Sequence, residues 1–148
     1  MPTTGGHTTL TQLDAVERLR SVVTADADVV VAYLFGSFGR ERAGPLSDVD
    51  VAVLLIKGAD EEANDRLSAD IATAVAPRRA DVVVLNDAPV TLAYRAVRDG
   101  QILMSRDEDA RIAFWVRTVD RYLDMAPARR ILDQGLRRRL RERRFGRP

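Results

Sequence analysis

Three runs of apolar residues in the first half of the chain predict the strands of a buried sheet. They cover residues 29–35 (VVVAYLF), 49–56 (VDVAVLLI) and 80–86 (ADVVVLN), and they are rich in β-branched residues, as is typical of interior strands. Apolar residues at helical spacing over residues 10–24 and 59–76 predict a helix before the first strand and another before the third. The apolar positions of the first helix are Leu10, Leu13, Val16, Leu19 and Val23.

The second half of the chain is predicted to be mainly helical. Pro89 can open a helix with Gly100 as its cap, and residues 101–104 (QILM) predict a short edge strand. A helix over residues 107–125 and a final helix after Pro127 complete the pattern. The fold class is therefore α/β (α+β): a small mixed sheet with helices packed on it, followed by a helical tail.

Chain length and composition favour a single domain. The 148 residues, 46% of them hydrophobic, suffice for one compact core, and we predict a core over residues 1–106 with the C-terminal helices of the same domain over residues 107–148. There is no cysteine, which excludes disulfide scaffolds and thiolate metal sites and favours a cytoplasmic setting. No apolar run approaches the roughly 18 residues that cross a bilayer, so we expect no membrane contact.

Charge is distributed unevenly along the chain. From Arg137 to Pro148 there are seven arginines and one glutamate, a local charge of +6 that leaves −5 for residues 1–136. We predict that this basic tail is a solvated helical end with its leucines packed inward. The alternative is an electrostatic contact with an acidic protein surface or with RNA, and whether the chain binds nucleic acid directly stays open.

Two carboxylates stand at the start of the second predicted strand. Asp48 and Asp50 are two residues apart, so their side chains project to one face. Asp81 has the same position at the start of the third predicted strand. Close carboxylates repel one another unless a cation lies between them, and such oxygen ligands suit Mg²⁺. Aspartates also flank strands in ordinary turns, so the prediction of a magnesium site depends on the three occurring together.

Gly36 and Ser37 precede these carboxylates in the segment GSFGRERAGPLSDVDVAVLL, residues 36–55. Glycine at a strand end allows a phosphate to approach the backbone, and a serine opening a helix offers its hydroxyl and free amides to an anion. Ser37 is not favoured as a nucleophile, since the only histidine is His7 near the start of the chain; an ordinary N-cap is its alternative role. Phosphate on one side and metal on the other describe a nucleoside triphosphate site with two Mg²⁺ ions.

The Gly-Ser pair, the ten-residue gap and the Asp-x-Asp of this segment resemble the signature of the nucleotidyltransferase superfamily related to DNA polymerase β. More closely, the chain resembles the minimal nucleotidyltransferase antitoxins of the MntA type, which are paired with HEPN ribonuclease toxins of the HepT type. The specific motif spans residues 34–85. One departure is Gly39-Arg40-Glu41-Arg42, where many relatives have Ala-Arg-Gly-Glu.

The resemblance implies roles for individual residues. Gly36 and Ser37 would bind the triphosphate, and Asp48 and Asp50 would bind both catalytic metal ions. Asp81 would bind the metal that activates the acceptor hydroxyl, serving as its general base or beside it. Arg40 is a candidate phosphate contact, although a solvated surface arginine is its alternative reading.

The resemblance also implies a reaction and a partner. In the antitoxin family, AMP is transferred from ATP to a tyrosine of the HEPN toxin, which neutralises it. Only about sixty residues follow the motif at residues 34–85, too few for an acceptor-binding domain, so the C-terminal helices are expected to form a toxin-docking or homodimer surface. Phe114 and Trp115 are candidate anchors, and core packing is expected for at least one of them because adjacent helix positions cannot face the same way. The alternatives are a non-catalytic antitoxin that acts by occlusion and a nucleotidyltransferase for a small molecule or RNA.

Overall fold

The computed structural model describes residues 11–36 and 48–145, with five helices and four strands in that part of the chain. The predicted short helix starting at Ser37 lies outside the described residues. The elements, in chain order, are α1 (Gln12–Ala25), β1 (Val29–Phe35), β2 (Val49–Leu55), α2 (Glu61–Val75), β3 (Ala80–Val84), α3 (Val90–Asp99), β4 (Gln101–Ser105), α4 (Glu108–Asp124) and α5 (Ala126–Phe145). No helix in these ranges is long and apolar enough to cross a membrane.

The four strands form one mixed sheet in the order β3-β2-β1-β4. Strand β1 pairs antiparallel with both β2 and β4, whereas β2 and β3 are parallel and are joined by α2. The predicted α/β class with a small mixed sheet is confirmed, and so is the prediction of an edge strand after Gly100. That glycine ends α3 by donating its N–H to the Ala96 carbonyl, and a Cβ at this position would collide with the same carbonyl oxygen.

Two apolar cores lie on opposite faces of the sheet because the strand residues alternate between them. The first core packs α1 and α2 against residues such as Val49, Val51 and Val53 of β2. The second packs α3 and α4 against the alternate positions, which include Ala52 and Leu54. Each residue in these two sets is at most 9% exposed.

Some predicted positions differ from the structure. Leu13 of α1 is 79% exposed, because the buried stripe of this helix follows Ala15, Leu19 and Val23 at intervals of four residues. Strand β3 ends at Val84, two residues before the predicted end. The Asn86 side chain there accepts a hydrogen bond from the Leu55 N–H and donates one to the Leu55 carbonyl, in place of backbone pairing.

Three apolar residues of the last helix are exposed. Ile131, Leu132 and Leu136 are 69%, 71% and 58% exposed. The predicted inward packing concerns Leu140 of the basic tail, which lies outside the residues whose side chains the structure describes. Both sheet faces are already covered by the preceding four helices, which leaves α5 no core surface to cover. Ile131, Leu132 and Leu136 therefore face solvent in the isolated chain.

Candidate active site

The carboxylates of β2 and β3 meet at one end of the sheet. The parallel register pairs Asp50 with Asp81 directly across the two strands. Their neighbours Val49, Val51 and Val82 belong to the first core, so alternation directs both aspartates to the opposite face, the one covered by α3 and α4. The sheet therefore brings together two of the three carboxylates that the sequence singles out.

Asp50 is the central member of this group. Its side chain is half-buried, whereas Asp48 and Asp81 are exposed. Burial raises the pKa of the Asp50 carboxyl, and the negative charges of Asp81 and Asp48 raise it further. All three predicted carboxylates thus interact electrostatically, and a cation placed among them would be attracted.

Arg95, which sequence reasoning missed, lowers the pKa of the Asp50 carboxyl through its positive charge, against the effects of burial and the two aspartates. It lies on α3 and is exposed. The helix was predicted from Pro89 at its start and Gly100 at its end, and neither residue indicates that this face of the helix lies beside the carboxylates. The packing of α3 on the sheet supplies that information.

Gly36 follows β1 and lies against Asp50. Its backbone has φ +74°, a conformation that favours glycine, and a Cβ at this position would collide with the Asp50 carboxylate oxygen Oδ2. The register that pairs Phe35 with Asp50 places it there. The backbone at the predicted phosphate-binding end thus directly adjoins the predicted metal-binding end.

The carboxylates lie near one another without forming a closed ligand set. Among residues 11–36 and 48–145, no three Asp, Glu or His side chains are arranged to hold a metal ion. The group still has the chemistry that Mg²⁺ prefers: oxygen donors, a mutual repulsion that a cation would relieve, and two exposed members whose side chains can turn. Ser37 and Arg40, the other predicted site residues, lie outside the described residues.

The family of the chain follows from its sequence and from this fold. Residues 17–109 match the polymerase beta nucleotidyltransferase family, and the chain belongs to that family. The match includes the Gly-Ser, Asp-x-Asp and Asp81 positions. No curated protein matches the chain significantly in sequence.

Solved structures give a more detailed likeness. A chain in the crystal structure of a toxin–antitoxin with AMP-PNP is 25% identical, with a TM-score of 0.70 over 82% of this chain and 98% of that one. A chain of the MntA-HepT toxin–antitoxin is 25% identical, with a TM-score of 0.64 over 85% and 99% of the two chains. A tri-AMPylated Shewanella oneidensis HEPN toxin in complex with MNT antitoxin contains a chain that is 24% identical, with a TM-score of 0.67 over 85% and 99%, which shows the shared fold. The predicted polymerase β-like fold and the resemblance to the MntA type are confirmed.

Proposed function

We propose that this protein is an antitoxin that transfers AMP from ATP to a tyrosine of a cognate HEPN ribonuclease toxin, in a reaction that depends on Mg²⁺. The observation that carries the proposal is the pairing of Asp50 with Asp81 beside Gly36 at one end of the sheet. Membership of the nucleotidyltransferase family supports transferase chemistry. The likeness to toxin–antitoxin structures, one with AMP-PNP and one with an AMPylated toxin, supports the nucleotide and the acceptor.

The nucleotide would lie between Gly36 at the phosphate-binding end of the site and the aspartates at the metal-binding end. Gly36 has no side chain to keep a phosphate from the backbone, and Ser37 and Arg40 follow it in the sequence as further phosphate contacts. Asp48, Asp50 and Asp81 would hold two Mg²⁺ ions. The ions would offset the negative charge of the triphosphate and favour the ionised form of the acceptor hydroxyl.

The proposed reaction is a single displacement at the α-phosphorus. The hydroxyl oxygen of the acceptor tyrosine forms a bond to that phosphorus, the bond to the bridging oxygen of the β-phosphate breaks, and pyrophosphate leaves. The hydroxyl proton passes to Asp81 or to a water beside it. Asp81 suits this role because its carboxylate is exposed and can reach an acceptor supplied by another protein.

The toxin would dock on α4 and the adjoining sheet edge. Phe114 is buried in the second core, whereas Trp115 is 45% exposed, so of the two predicted anchors Trp115 is available to a partner. Trp115, Ile112 and Ile102 surround a cavity of about 290 Å³ whose wall includes Tyr33 and Arg111. An exposed apolar cluster around a concave surface is typical of protein-binding sites.

The test is intact mass spectrometry of the purified HEPN partner after incubation with this protein, ATP and Mg²⁺. We expect the partner to gain mass in steps of AMP with the wild type. The Asp48→Ala, Asp50→Ala double variant is the control and should add no mass. Peptide mapping would then locate the modified residue, which the proposal requires to be a tyrosine.

The result also separates the alternative functions. A tight complex without added mass would favour an antitoxin that acts by occlusion through the Trp115 surface. Modification of RNA or of a small molecule, with an unmodified partner, would favour a nucleotidyltransferase that acts on that substrate. Equal AMP transfer by the double variant would contradict the assigned carboxylates.

A further inference from the structure

A second cavity lies on the same sheet face as the carboxylates but at the other end of the strands. Its volume is about 220 Å³, and it is enclosed by the ends of β2 and β3, the start of α3 and the middle of α4. Leu54 and Leu85 form part of its floor, and Phe114 contributes an aromatic wall. Leu54 is four residues from Asp50 along β2, which corresponds to about 13 Å, so this cavity is separate from the candidate active site.

A buried threonine lines this cavity. Thr118 is only 5% exposed and is the one buried polar residue of the described part of the chain. Its hydroxyl can donate a hydrogen bond to a ligand in the cavity.

Two guanidinium groups stand at the mouth of the cavity. Arg117 and Arg121 are one helical turn apart on α4 and line the same space as Thr118. Both are exposed, and in the part of the chain that the structure describes neither forms an ion pair. They are therefore available to bind an anion.

The start of α3 adds a further positive influence. Pro89 is its N-cap and provides no side-chain hydrogen bond, so the amides of Val90 and Thr91 lack the acceptor that a capping serine or aspartate would give. Val90 lines the cavity. The positive end of the helix dipole thus lies at this cavity.

We propose that this cavity binds a small molecule with an oxyanion head, a phosphate ester or a carboxylate, and an apolar body. The head would accept hydrogen bonds from the Thr118 hydroxyl and the two guanidinium groups, and the body would lie against Leu54, Leu85 and Phe114. The proposal rests on this cavity alone and is independent of the nucleotidyltransferase reaction.

Binding can be measured by isothermal titration calorimetry on the full chain, with phenyl phosphate, phenylacetate and inorganic phosphate as probes. We expect phenyl phosphate or phenylacetate to bind, and the stronger of the two identifies the head group. Inorganic phosphate should bind more weakly, because it lacks the apolar body. Saturation with ATP and Mg²⁺ should leave this binding in place, which distinguishes the cavity from the active site.

Two sets of variants locate the site. Arg117→Gln with Arg121→Gln should weaken binding of the better probe at least tenfold, as expected for lost charge-assisted hydrogen bonds. Arg137→Gln with Arg141→Gln removes the same charge at the same helical spacing on α5 and should leave the affinity unchanged. Thr118→Val retains the side-chain shape and should weaken binding without lowering the thermal midpoint.

Three results would overturn the proposal: no binding of either aromatic probe by the wild type, equal losses in the two double-arginine variants, or displacement of the probe by ATP. If Thr118→Val binds the probe as tightly as the wild type does, the Thr118 hydroxyl does not contact the ligand. A failure of AMP transfer would have no bearing on these outcomes, because none of them depends on it.

Discussion

The two faces of the sheet are made from alternate residues of the same strands, yet they differ in character. On the face beneath α1 and α2, β2 contributes Val49, Val51 and Val53, all fully buried. On the face beneath α3 and α4, the same strand contributes Asp50, Ala52 and Leu54, and α4 leaves cavities beside it. The first face stabilises the fold by apolar burial, whereas the second gives up some packing for charged groups and concave surfaces. The difference indicates that changes to the buried residues of the first face should cost stability, whereas changes to the carboxylates and exposed residues of the second face should cost activity.

The largest effect is expected at the carboxylates of the second face. Asp50→Asn should reduce AMP transfer at least about 1,000-fold, since bound metal stabilises such transition states by several kcal/mol. The thermal midpoint in EDTA should not fall, because removing one negative charge relieves the repulsion from Asp81 and Asp48. Transfer is measured by partner mass and stability by thermal unfolding. If Asp50→Asn transfers AMP as well as the wild type, or loses much stability, the assignment of activity to this face would be wrong.

The next effect is expected on the first face. Leu67 of α2 is 2% exposed, and Leu67→Ala should lower the free energy of unfolding by about 2–5 kcal/mol through lost burial and a residual cavity. Leu13→Ala is the matched control, since Leu13 is 79% exposed and should change stability by no more than about 0.5 kcal/mol. Urea unfolding gives the free energy of unfolding of both variants. Similar losses in the two variants would show that the difference in burial between Leu67 and Leu13 does not determine their contribution to stability.

A pair of glycines tests the contact between β1 and Asp50. Gly36 and Gly58 both have positive φ, but only a Cβ at Gly36 would meet the Asp50 carboxylate; none of the described atoms lies within 4 Å of a Cβ at Gly58. Both alanine variants should therefore show backbone strain, whereas Gly36→Ala alone should lower transfer, by about 100-fold for a displaced site. Partner mass spectrometry at matched protein stability measures the difference. Equal transfer by the two variants would count against the contact.

Docking of the toxin should depend on Trp115. Trp115→Ala should weaken the complex with the HEPN partner by about 2 kcal/mol, or roughly 30-fold, as for an interface anchor, with little change in the thermal midpoint. Phe114→Ala is the contrasting variant, since Phe114 is buried and its loss should lower stability instead. Calorimetric titration and thermal unfolding separate the two effects. Unchanged affinity in Trp115→Ala would move the docking surface elsewhere.

The smallest effect is a pH dependence on the second face. The folded chain raises the pKa of Asp50 above its ordinary value of 3.8, so its ionised form is less favourable in the folded state than in the unfolded state. Ionised Asp50 therefore lowers the stability of the folded state. This loss of stability is absent well below pH 3.8, grows as the pH rises toward the pKa of the folded state, and is constant above that pKa. In EDTA, the thermal midpoint of Asp50→Asn relative to the wild type should rise across this window. A difference that does not vary with pH would contradict the shift.

The sequence alone was enough to predict the features that depend on the local pattern of residues. Apolar runs located β1 and β2, and Pro89 and Gly100 marked the two ends of α3. Asp48 and Asp50 at the start of an apolar run, with Asp48 ten residues after a Gly-Ser pair, identified the end of the sheet where the site would be sought. These features are readable because strand burial and turn preferences depend on residues close together in the chain.

The tertiary structure decided which of these residues meet. The parallel pairing of β2 with β3 sets Asp50 against Asp81, and the packing of α3 brings Arg95 to the same group. Helical periodicity could not tell that Phe114 is buried while Trp115 and Leu132 are exposed, because burial depends on whether another element covers a face. The sequence determined the elements and the kind of chemistry; only long-range packing determined their neighbours.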